Sequence, residues 1–315
     1  MSEMNLALGA MEFGTRVDEK TSFALLDQYV AEGGVWIDTA DCYAFWQSES
    51  GFGGQSEELL GRWLAQRPGV RDKVRIATKV GWEPLVVGGF PEQTEGLGSA
   101  AIDAALELSL RRLGIDHIDL YWAHRDDRNT PMEETIAAFG RHHAAGTIGR
   151  VGLSNWALWR VERARGLAAN LGVAEPSALQ LRYSYLQPRP FVRGHIHDHR
   201  FGWATDETLD YLETQPDWDL WAYTPLMSGS YEREDRPLHE GFDHPGTTRR
   251  LEALGKVAAE LGVSRSTVVT AWLCGGTPPI RPIIGASRPE QLAAAIEGAR
   301  LDLGTDLRAE LDRPW

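Results

Sequence analysis

The sequence lacks the features of several protein classes. Its 315 residues include only two cysteines, Cys42 and Cys274, which excludes a disulfide framework and is typical of a reducing compartment. No apolar run approaches the ~20 residues that cross a bilayer. Residues 1–14 show no basic stretch followed by an apolar segment, so no export signal is expected. We therefore expect a soluble, cytoplasmic protein with no membrane partner.

Positive charge is also scarce. Lys and Arg number 32 against 45 Asp and Glu, which gives a formal net charge of -13. Nucleic acids and anionic membranes require a basic face, so neither is expected as a partner. The charge balance still allows a local site for a small anionic ligand, and solubility is a sufficient explanation of the net charge.

Linkers and low-complexity tracts are absent, and a strand–helix unit recurs eight times. The predicted strands are 6–9, 35–37, 74–78, 118–123, 151–153, 178–181, 220–223 and 280–284. The predicted helices are 23–30, 57–64, 100–113, 132–145, 158–171, 205–212, 248–261 and 289–299. Eight such units predict an α/β fold, a (β/α)8 TIM barrel forming a single domain over 1–315.

The alternative to a barrel is an open, doubly wound sheet. That fold normally carries a glycine-rich phosphate turn, G-x-G-x-x-G, after its first strand. Here the first strand leads into 9–14, Gly-Ala-Met-Glu-Phe-Gly, which lacks this pattern. The barrel is therefore favoured, with its active site at the C-terminal ends of the strands.

Four polar residues follow three consecutive predicted strands. Asp38 ends the second strand, Tyr43 follows in the loop, Lys79 comes directly after the third strand, and His124 directly after the fourth. A phenol is a reluctant acid, but a neighbouring ammonium would lower its pKa. Asp38 could hold that ammonium, and the imidazole could orient a carbonyl oxygen. The set suits protonation of an alkoxide, although each residue alone would more often cap, pair or pack.

Residues 37–43, Ile-Asp-Thr-Ala-Asp-Cys-Tyr, resemble the aldo-keto reductase signature Asp-Thr-Ala-x-x-Tyr. Later motifs of that family appear in the right order: Thr78-Lys79, Asp119-Leu120-Tyr121 with His124, Gly152-Leu153-Ser154-Asn155, Gln180, 223–226 and 284–291. The resemblance extends from residue 6 to about 299. It implies an NADPH-dependent reductase of aldehydes or ketones.

The resemblance also implies catalytic roles. Tyr43 would be the general acid and Lys79 would tune it. Asp38 would anchor Lys79, and His124 would orient the substrate carbonyl. The cofactor would supply the hydride, and the barrel the position and the acid.

Cofactor contacts are implied in the same way. Ser154, Asn155 and Gln180 would hold the nicotinamide carboxamide, and Tyr223 would stack on its ring. The pyrophosphate would meet backbone amides of the loop 224–229, at Thr224, Leu226, Ser228 and Gly229. The adenosine 2′-phosphate would meet the start of the eighth helix, at Gly285, Ser287, Arg288 and Gln291. A helix N-terminus that carries Arg288 is a good phosphate site. Ala294 and Ala295 replace the Glu and Asn with which the family often grips the adenine.

Two further residues are candidates for substrate binding. Trp82, soon after Lys79, could line an apolar or aromatic pocket. Arg125 could meet an anionic substrate, or form a surface ion pair with Asp126 or Asp127 instead. His195, His197 and His199 alternate as metal ligands can, but no strand is predicted there, and a solvated or lid loop is the preferred interpretation. No metal is expected.

Two other functions compete with carbonyl reduction. An NADPH-binding redox sensor or channel-associated subunit would explain the cofactor motifs without turnover. A cofactor-free barrel isomerase or hydrolase would leave Tyr223 and Arg288 unexplained. Neither the substrate nor the oligomeric state follows from the sequence.

Overall fold

Eight parallel strands close into a barrel. A computed structural model describes residues 3–190, 192 and 202–313. Strand β1 pairs with both β2 and β8, so the sheet has no open edge and the doubly wound alternative is excluded. The strands are β1 Ala7–Gly9, β2 Trp36–Asp38, β3 Arg75–Val80, β4 Ile118–Ala123, β5 Ile148–Ser154, β6 Ala178–Arg182, β7 Asp219–Tyr223 and β8 Ile280–Gly285. The predicted TIM barrel is confirmed.

Helices surround the barrel in the described part of the chain. They are α1 Glu19–Ala31, α2 Gln55–Ala65, α3 Ser99–Leu113, α4 Met132–Ala144, α5 Leu158–Leu171, α6 Asp206–Glu213, α7 Pro245–Leu261, α8 Arg265–Cys274, α9 Pro289–Arg300 and α10 Gly304–Asp312. Every helix predicted from the sequence is present. None of the helices in the described ranges is long and apolar enough to span a bilayer.

Helix α8 was missed by the sequence analysis. Its residues 267–271 are all buried, so the helix has no polar face to produce a helical period. The run Ser-Thr-Val-Val-Thr is also rich in β-branched residues, which favour strands. The helix is nevertheless capped, because the Ser264 side chain accepts a hydrogen bond from the backbone N–H of Thr267 at 3.0 Å.

Three tryptophans fill the interior of the barrel. The ring centroid of Trp221 lies 5.1 Å from that of Trp36 and 5.5 Å from that of Trp122, both edge-on. A Cβ atom at Gly152 would lie 2.2 Å from the Trp122 ring, so the neighbouring strand needs a glycine there. The side chain of Trp122 is fully buried in this layer. Because these side chains fill the interior of the barrel, we look for a site at the C-terminal ends of the strands.

Candidate active site

The strands bring the predicted polar residues to one end of the barrel. Asp38 and Ser154 are the last residues of β2 and β5, and Tyr223 is the last residue of β7. Lys79 is the penultimate residue of β3, and His124 follows β4 directly. In a parallel barrel all these ends share one face, so the side chains lie together.

The ammonium of Lys79 is the centre of the site. Its Nζ donates hydrogen bonds to Asp38 Oδ2 at 2.5 Å, to the Thr39 carbonyl at 2.6 Å and to the Tyr43 hydroxyl at 2.9 Å. An ammonium has three protons, so its donors are fully used. Lys79 is fully buried. A buried cation needs such complete compensation, and the three bonds fix its position beside the phenol.

Across the barrel, Gln180 completes the pairing of Asp38. Its Nε2 donates to Asp38 Oδ1 at 3.1 Å, so both carboxylate oxygens of Asp38 are bonded. From the sequence, Gln180 was expected to contact only the cofactor. The structure also gives it a positioning contact with the ion pair.

Burial controls the protonation of the site. It raises the pKa of Tyr43 well above that of a free phenol, and the nearby Asp38 carboxylate raises it further. Burial also lowers the pKa of Lys79, and it raises the pKa of Asp38 against the opposing effect of Lys79. The lowering of the Tyr43 pKa that the sequence led us to expect from the ammonium is outweighed in this structure by the desolvation of the phenolate. Tyr43 is therefore held as the protonated phenol.

His124 lies against Tyr43 from the next strand. The two ring centroids are 5.7 Å apart with an interplanar angle of 75°. The backbone carbonyl of His124 accepts hydrogen bonds from Asn155 Nδ2 at 3.1 Å and Trp82 Nε1 at 3.2 Å. Asn155 in turn accepts a bond from the Tyr223 hydroxyl at 3.0 Å. This network links the catalytic candidates to three of the residues predicted to bind cofactor or substrate.

Backbone strain is concentrated at the predicted cofactor contacts. In the described residues, positive φ outside glycine occurs at Ala44 and, with φ of 62°, 54°, 50° and 55°, at Asn155, Thr224, Met227 and Ser228. Such backbone costs on the order of 1–3 kcal/mol per residue and persists mainly where function requires it. Ala44 adjoins Tyr43, and the other four lie at or within the expected nicotinamide and pyrophosphate contacts. Within this loop the N–H groups of Met227 and Gly229 donate to the carbonyls of Thr224 and Leu226, at 3.2 and 2.9 Å.

The residues predicted to bind the 2′-phosphate lie at the start of α9. Arg288 is exposed at the helix N-cap and forms no ion pair within the described chain. The Gln291 side chain accepts hydrogen bonds from the Ser287 backbone N–H at 2.9 Å and from its hydroxyl at 3.2 Å. Gly285 is exposed, and no atom lies within 4 Å of where its Cβ would be. Ala295 is buried in the core, so its side chain is not available to an adenine.

Aromatic side chains border the site on the side of β3. The ring centroid of Phe90 lies 5.2 Å from that of Trp82 and 4.8 Å from that of Phe45. Arg125 stacks on Trp82 at 4.3 Å and donates a hydrogen bond to Thr94 at 2.9 Å. The alternative ion pair of Arg125 with Asp126 or Asp127 does not form within the described residues. The histidines at 195, 197 and 199 lie outside the described residues.

A buried charged group behind the Tyr43 loop was missed by the sequence analysis. Arg112 donates to Glu57 at 3.3 Å, to the Asp41 carbonyl at 3.2 Å and to the Gly53 carbonyl at 3.1 Å. Arg112 thus ties α3 to the loop that carries Tyr43. A Cβ at Gly53 would lie 2.4 Å from the Cys42 backbone, so this loop packs too closely for any other residue. Only the tertiary fold brings these positions together.

Further carboxyl groups surround this loop. Burial and the nearby Glu95 raise the pKa of Asp41 well above its usual range. Burial raises the pKa of Glu57, and it raises that of Glu83 to about 7. Acidic residues are usually exposed in folded proteins, so nothing in the sequence marked these carboxyl groups as buried.

Comparisons with known proteins show the family of the chain. The chain matches the Aldo/keto reductase family over residues 5–313. It is 31% identical to the uncharacterized oxidoreductase YrpG of Bacillus subtilis, over 96% of this chain and 89% of that protein. It is 29% identical to the norsolorinic acid reductase stcV of Emericella nidulans, over 98% of this chain and 77% of that protein. It is 28% identical to a probable voltage-gated potassium channel subunit beta of Oryza sativa, over 91% and 84%.

Proposed function

This chain belongs to the aldo/keto reductase family, and on that basis we propose that it reduces an aldehyde or ketone to an alcohol with NADPH. The observation that carries the proposal is the buried Lys79 ammonium, whose three hydrogen bonds join Asp38 to the hydroxyl of Tyr43. We propose the chain as one catalytic domain over 1–315, in the cytoplasm, where its two free thiols would stay reduced.

Tyr43 is the proton donor in this proposal. Its hydroxyl accepts a bond from Lys79, so its own proton is free to point at a substrate oxygen. NADPH supplies the hydride to the carbonyl carbon when it is bound. The carbonyl oxygen takes the Tyr43 proton as negative charge develops on it. Lys79 then faces the developing phenolate and stabilises it, while His124 orients the oxygen.

The cofactor would lie along the C-terminal ends of β5 to β8. Ser154, Asn155 and Gln180 would hold the carboxamide, and Tyr223, which is partly exposed at the end of β7, would stack on the nicotinamide ring. The strained loop after β7 would contact the pyrophosphate through Thr224, Leu226, Ser228 and Gly229. Gly285, Ser287, Arg288 and Gln291 would bind the 2′-phosphate.

The substrate proposed is an apolar or aromatic carbonyl compound. Trp82, Phe45 and Phe90 form one aromatic wall next to Tyr43, and Trp46 extends it with 44% of its surface exposed. Exposed aromatic surface beside a catalytic group is a site for apolar ligands. Arg125 on Trp82 would accept a negatively charged substituent.

A second candidate function is an NADPH-binding redox sensor or channel-associated subunit. It is favoured by the rice relative, which is named as a potassium channel subunit. A sensor has no need for the intact set Asp38, Tyr43, Lys79 and His124, so we keep reduction as the proposal. The third candidate, a cofactor-free isomerase or hydrolase, leaves Arg288, which forms no ion pair with the residues that the structure describes, without a purpose.

A turnover screen separates the three candidates. The full chain would be mixed with small and aromatic aldehydes and ketones, with NADPH or NADH, and coenzyme absorbance followed. We expect carbonyl-dependent oxidation of NADPH, fastest with aromatic substrates. Binding of NADPH without turnover would instead favour the sensor. No quenching of tryptophan fluorescence by NADPH would favour the cofactor-free enzyme.

A further inference from the structure

The loop that carries Tyr43 also gathers three metal-ligating side chains. Asp41, Cys42 and His124 each offer one atom, and these atoms all lie within 4.8 Å of one another. Asp41 and Cys42 are only 2% and 3% exposed, and His124 is partly exposed. The cluster therefore lies at the inner edge of the barrel mouth.

The carboxylate of Asp41 is the part of this cluster that the reductase chemistry leaves unused. Both of its oxygens are buried and receive no hydrogen bond from another residue in the described part of the chain, while its side chain lies against the Glu95 carboxyl. A buried polar atom without a partner costs about 1–3 kcal/mol, more when it is charged. Burial and the neighbouring Glu95 make its ionised form costly, and a bound cation would offset that cost. The nearby Lys79 does not supply one, since its charge is already paired with Asp38.

The spacing of the two soft ligands fits a tetrahedral cation. Cys42 Sγ lies 3.7 Å from His124 Nδ1. Tetrahedral Zn²⁺, with bonds of about 2.3 Å to sulfur and about 2.0 Å to nitrogen, separates these two atoms by roughly 3.5 Å. Thiolate and imidazole select Zn²⁺ and similar borderline-soft ions over Mg²⁺ or Ca²⁺.

We propose that Asp41, Cys42 and His124 form a binding site for a soft divalent cation of the Zn²⁺ class, with a water as the fourth ligand. Binding forms a metal–thiolate bond, and the thiol proton passes to solvent. The cation would enter past the partly exposed imidazole. The sequence-based expectation was that no metal binds. The cluster gave no sequence signal, because Asp41 and Cys42 are adjacent whereas His124 follows a different strand and joins them only in the fold.

Titration of the full chain with Cd²⁺ tests the site through thiolate-to-metal charge-transfer absorbance. Wild type should bind one ion with this ultraviolet band. Cys274→Ser is the matched control, since Cys274 Sγ donates to the Asn5 carbonyl at 3.1 Å, away from the cluster. It should keep the band, whereas Cys42→Ser should lose it. Asp41→Asn and His124→Gln should raise the Cd²⁺ dissociation constant at least about tenfold. Loss of a residue that only hydrogen-bonds to a metal ligand already costs about that much.

Thermal melts of all variants establish that each is folded before its binding is compared. Absence of the band in folded wild type would overturn the proposal whatever the variants do. The proposal would also be overturned if Cys274→Ser and Cys42→Ser lost the band equally, or if Asp41→Asn and His124→Gln left the band and the Cd²⁺ affinity unchanged. Either result would mean that Cd²⁺ binds to thiols without the proposed site. The result is independent of carbonyl turnover, so the site and the proposed function fail or succeed separately.

Discussion

At the scale of the residue, the site depends on one buried phenol and one buried ammonium. Tyr43 keeps its proton because burial opposes the phenolate. Lys79 Nζ lies 2.9 Å from the Tyr43 hydroxyl, so in the proposed reaction its positive charge faces the negative charge that forms there. In the proposed reaction this contact gains strength as negative charge develops on the phenol oxygen. Stabilisation that grows toward the transition state is what raises a rate.

Replacing Tyr43 with phenylalanine tests this arrangement. Tyr43→Phe removes the proton donor and leaves the ring that packs beside His124, so the fold and NADPH binding should persist. Carbonyl reduction should fall by about 10²-fold or more, the usual contribution of a general acid. Steady-state turnover and cofactor titration would measure the two effects.

Tyr121→Phe is the control for this change. Tyr121 is fully buried in β4, and its hydroxyl has no hydrogen-bond partner among the described residues, so its removal should leave turnover unchanged. Wild-type-like reduction by Tyr43→Phe would show that another group supplies the proton.

At the scale of the element, the N-terminus of α9 is the proposed determinant of the preference between cofactors. Arg288 occupies the N-cap of this 12-residue helix, where unpaired N–H groups and the helix dipole both favour an anion. NADH lacks the 2′-phosphate that would meet Arg288. The position of one arginine on one helix end is thus the proposed basis of NADPH specificity.

We expect Arg288→Ala to weaken NADPH binding and to leave NADH binding nearly unchanged. Loss of a charge-assisted contact is worth roughly 1.5–3 kcal/mol, so the NADPH dissociation constant should rise about tenfold to a hundredfold. Fluorescence titration with both cofactors measures it. Arg300→Ala, at the other end of α9 and paired with Glu32 at 2.9 Å, is the control and should affect neither constant. Equal weakening of both cofactors by Arg288→Ala would refute the assignment.

At the scale of the whole molecule, buried acids behind the Tyr43 loop make stability depend on pH. Burial raises the pKa of Glu83 from 4.5 to about 7, and it raises those of Asp41, Glu57 and Glu95 in the same direction. Between pH 4.5 and about 7 the folded state therefore binds more protons than the unfolded state. By linkage, stability falls as pH rises through this window.

Glu83→Gln should flatten that dependence. Glutamine does not titrate, and its carbonyl oxygen can still accept the Gly53 N–H that Glu83 Oε1 accepts at 2.9 Å. Melting temperatures at pH 5, 6 and 7 should fall more steeply for wild type than for the variant. Glu58→Gln, on the exposed side of α2, removes the same charge from the surface and should keep the wild-type slope. If the slopes of Glu83→Gln and Glu58→Gln coincide, Glu83 does not contribute to the pH dependence.

The sequence by itself determined the barrel and its order of strands. Each strand is a short apolar run and most helices have one apolar face. Hydrophobic periodicity and the turn residues between elements therefore identify them locally. It also determined that Asp38, Lys79 and His124 meet, because the C-terminal ends of parallel strands share one face. Helix α8 escaped this reasoning, since burial on all sides removes the helical period.

Only the tertiary structure decided how the site is charged. The sequence led us to expect that Lys79 lowers the Tyr43 pKa, but the degree of burial, which no local pattern encodes, reverses the sign. Contacts between distant segments could not be predicted from the sequence either, because no local pattern encodes them. Arg112 reaches the Tyr43 loop from α3, and Gln180 reaches Asp38 across the barrel. Local pattern fixes which residues form an element, whereas desolvation and pairing depend on every element packed around them.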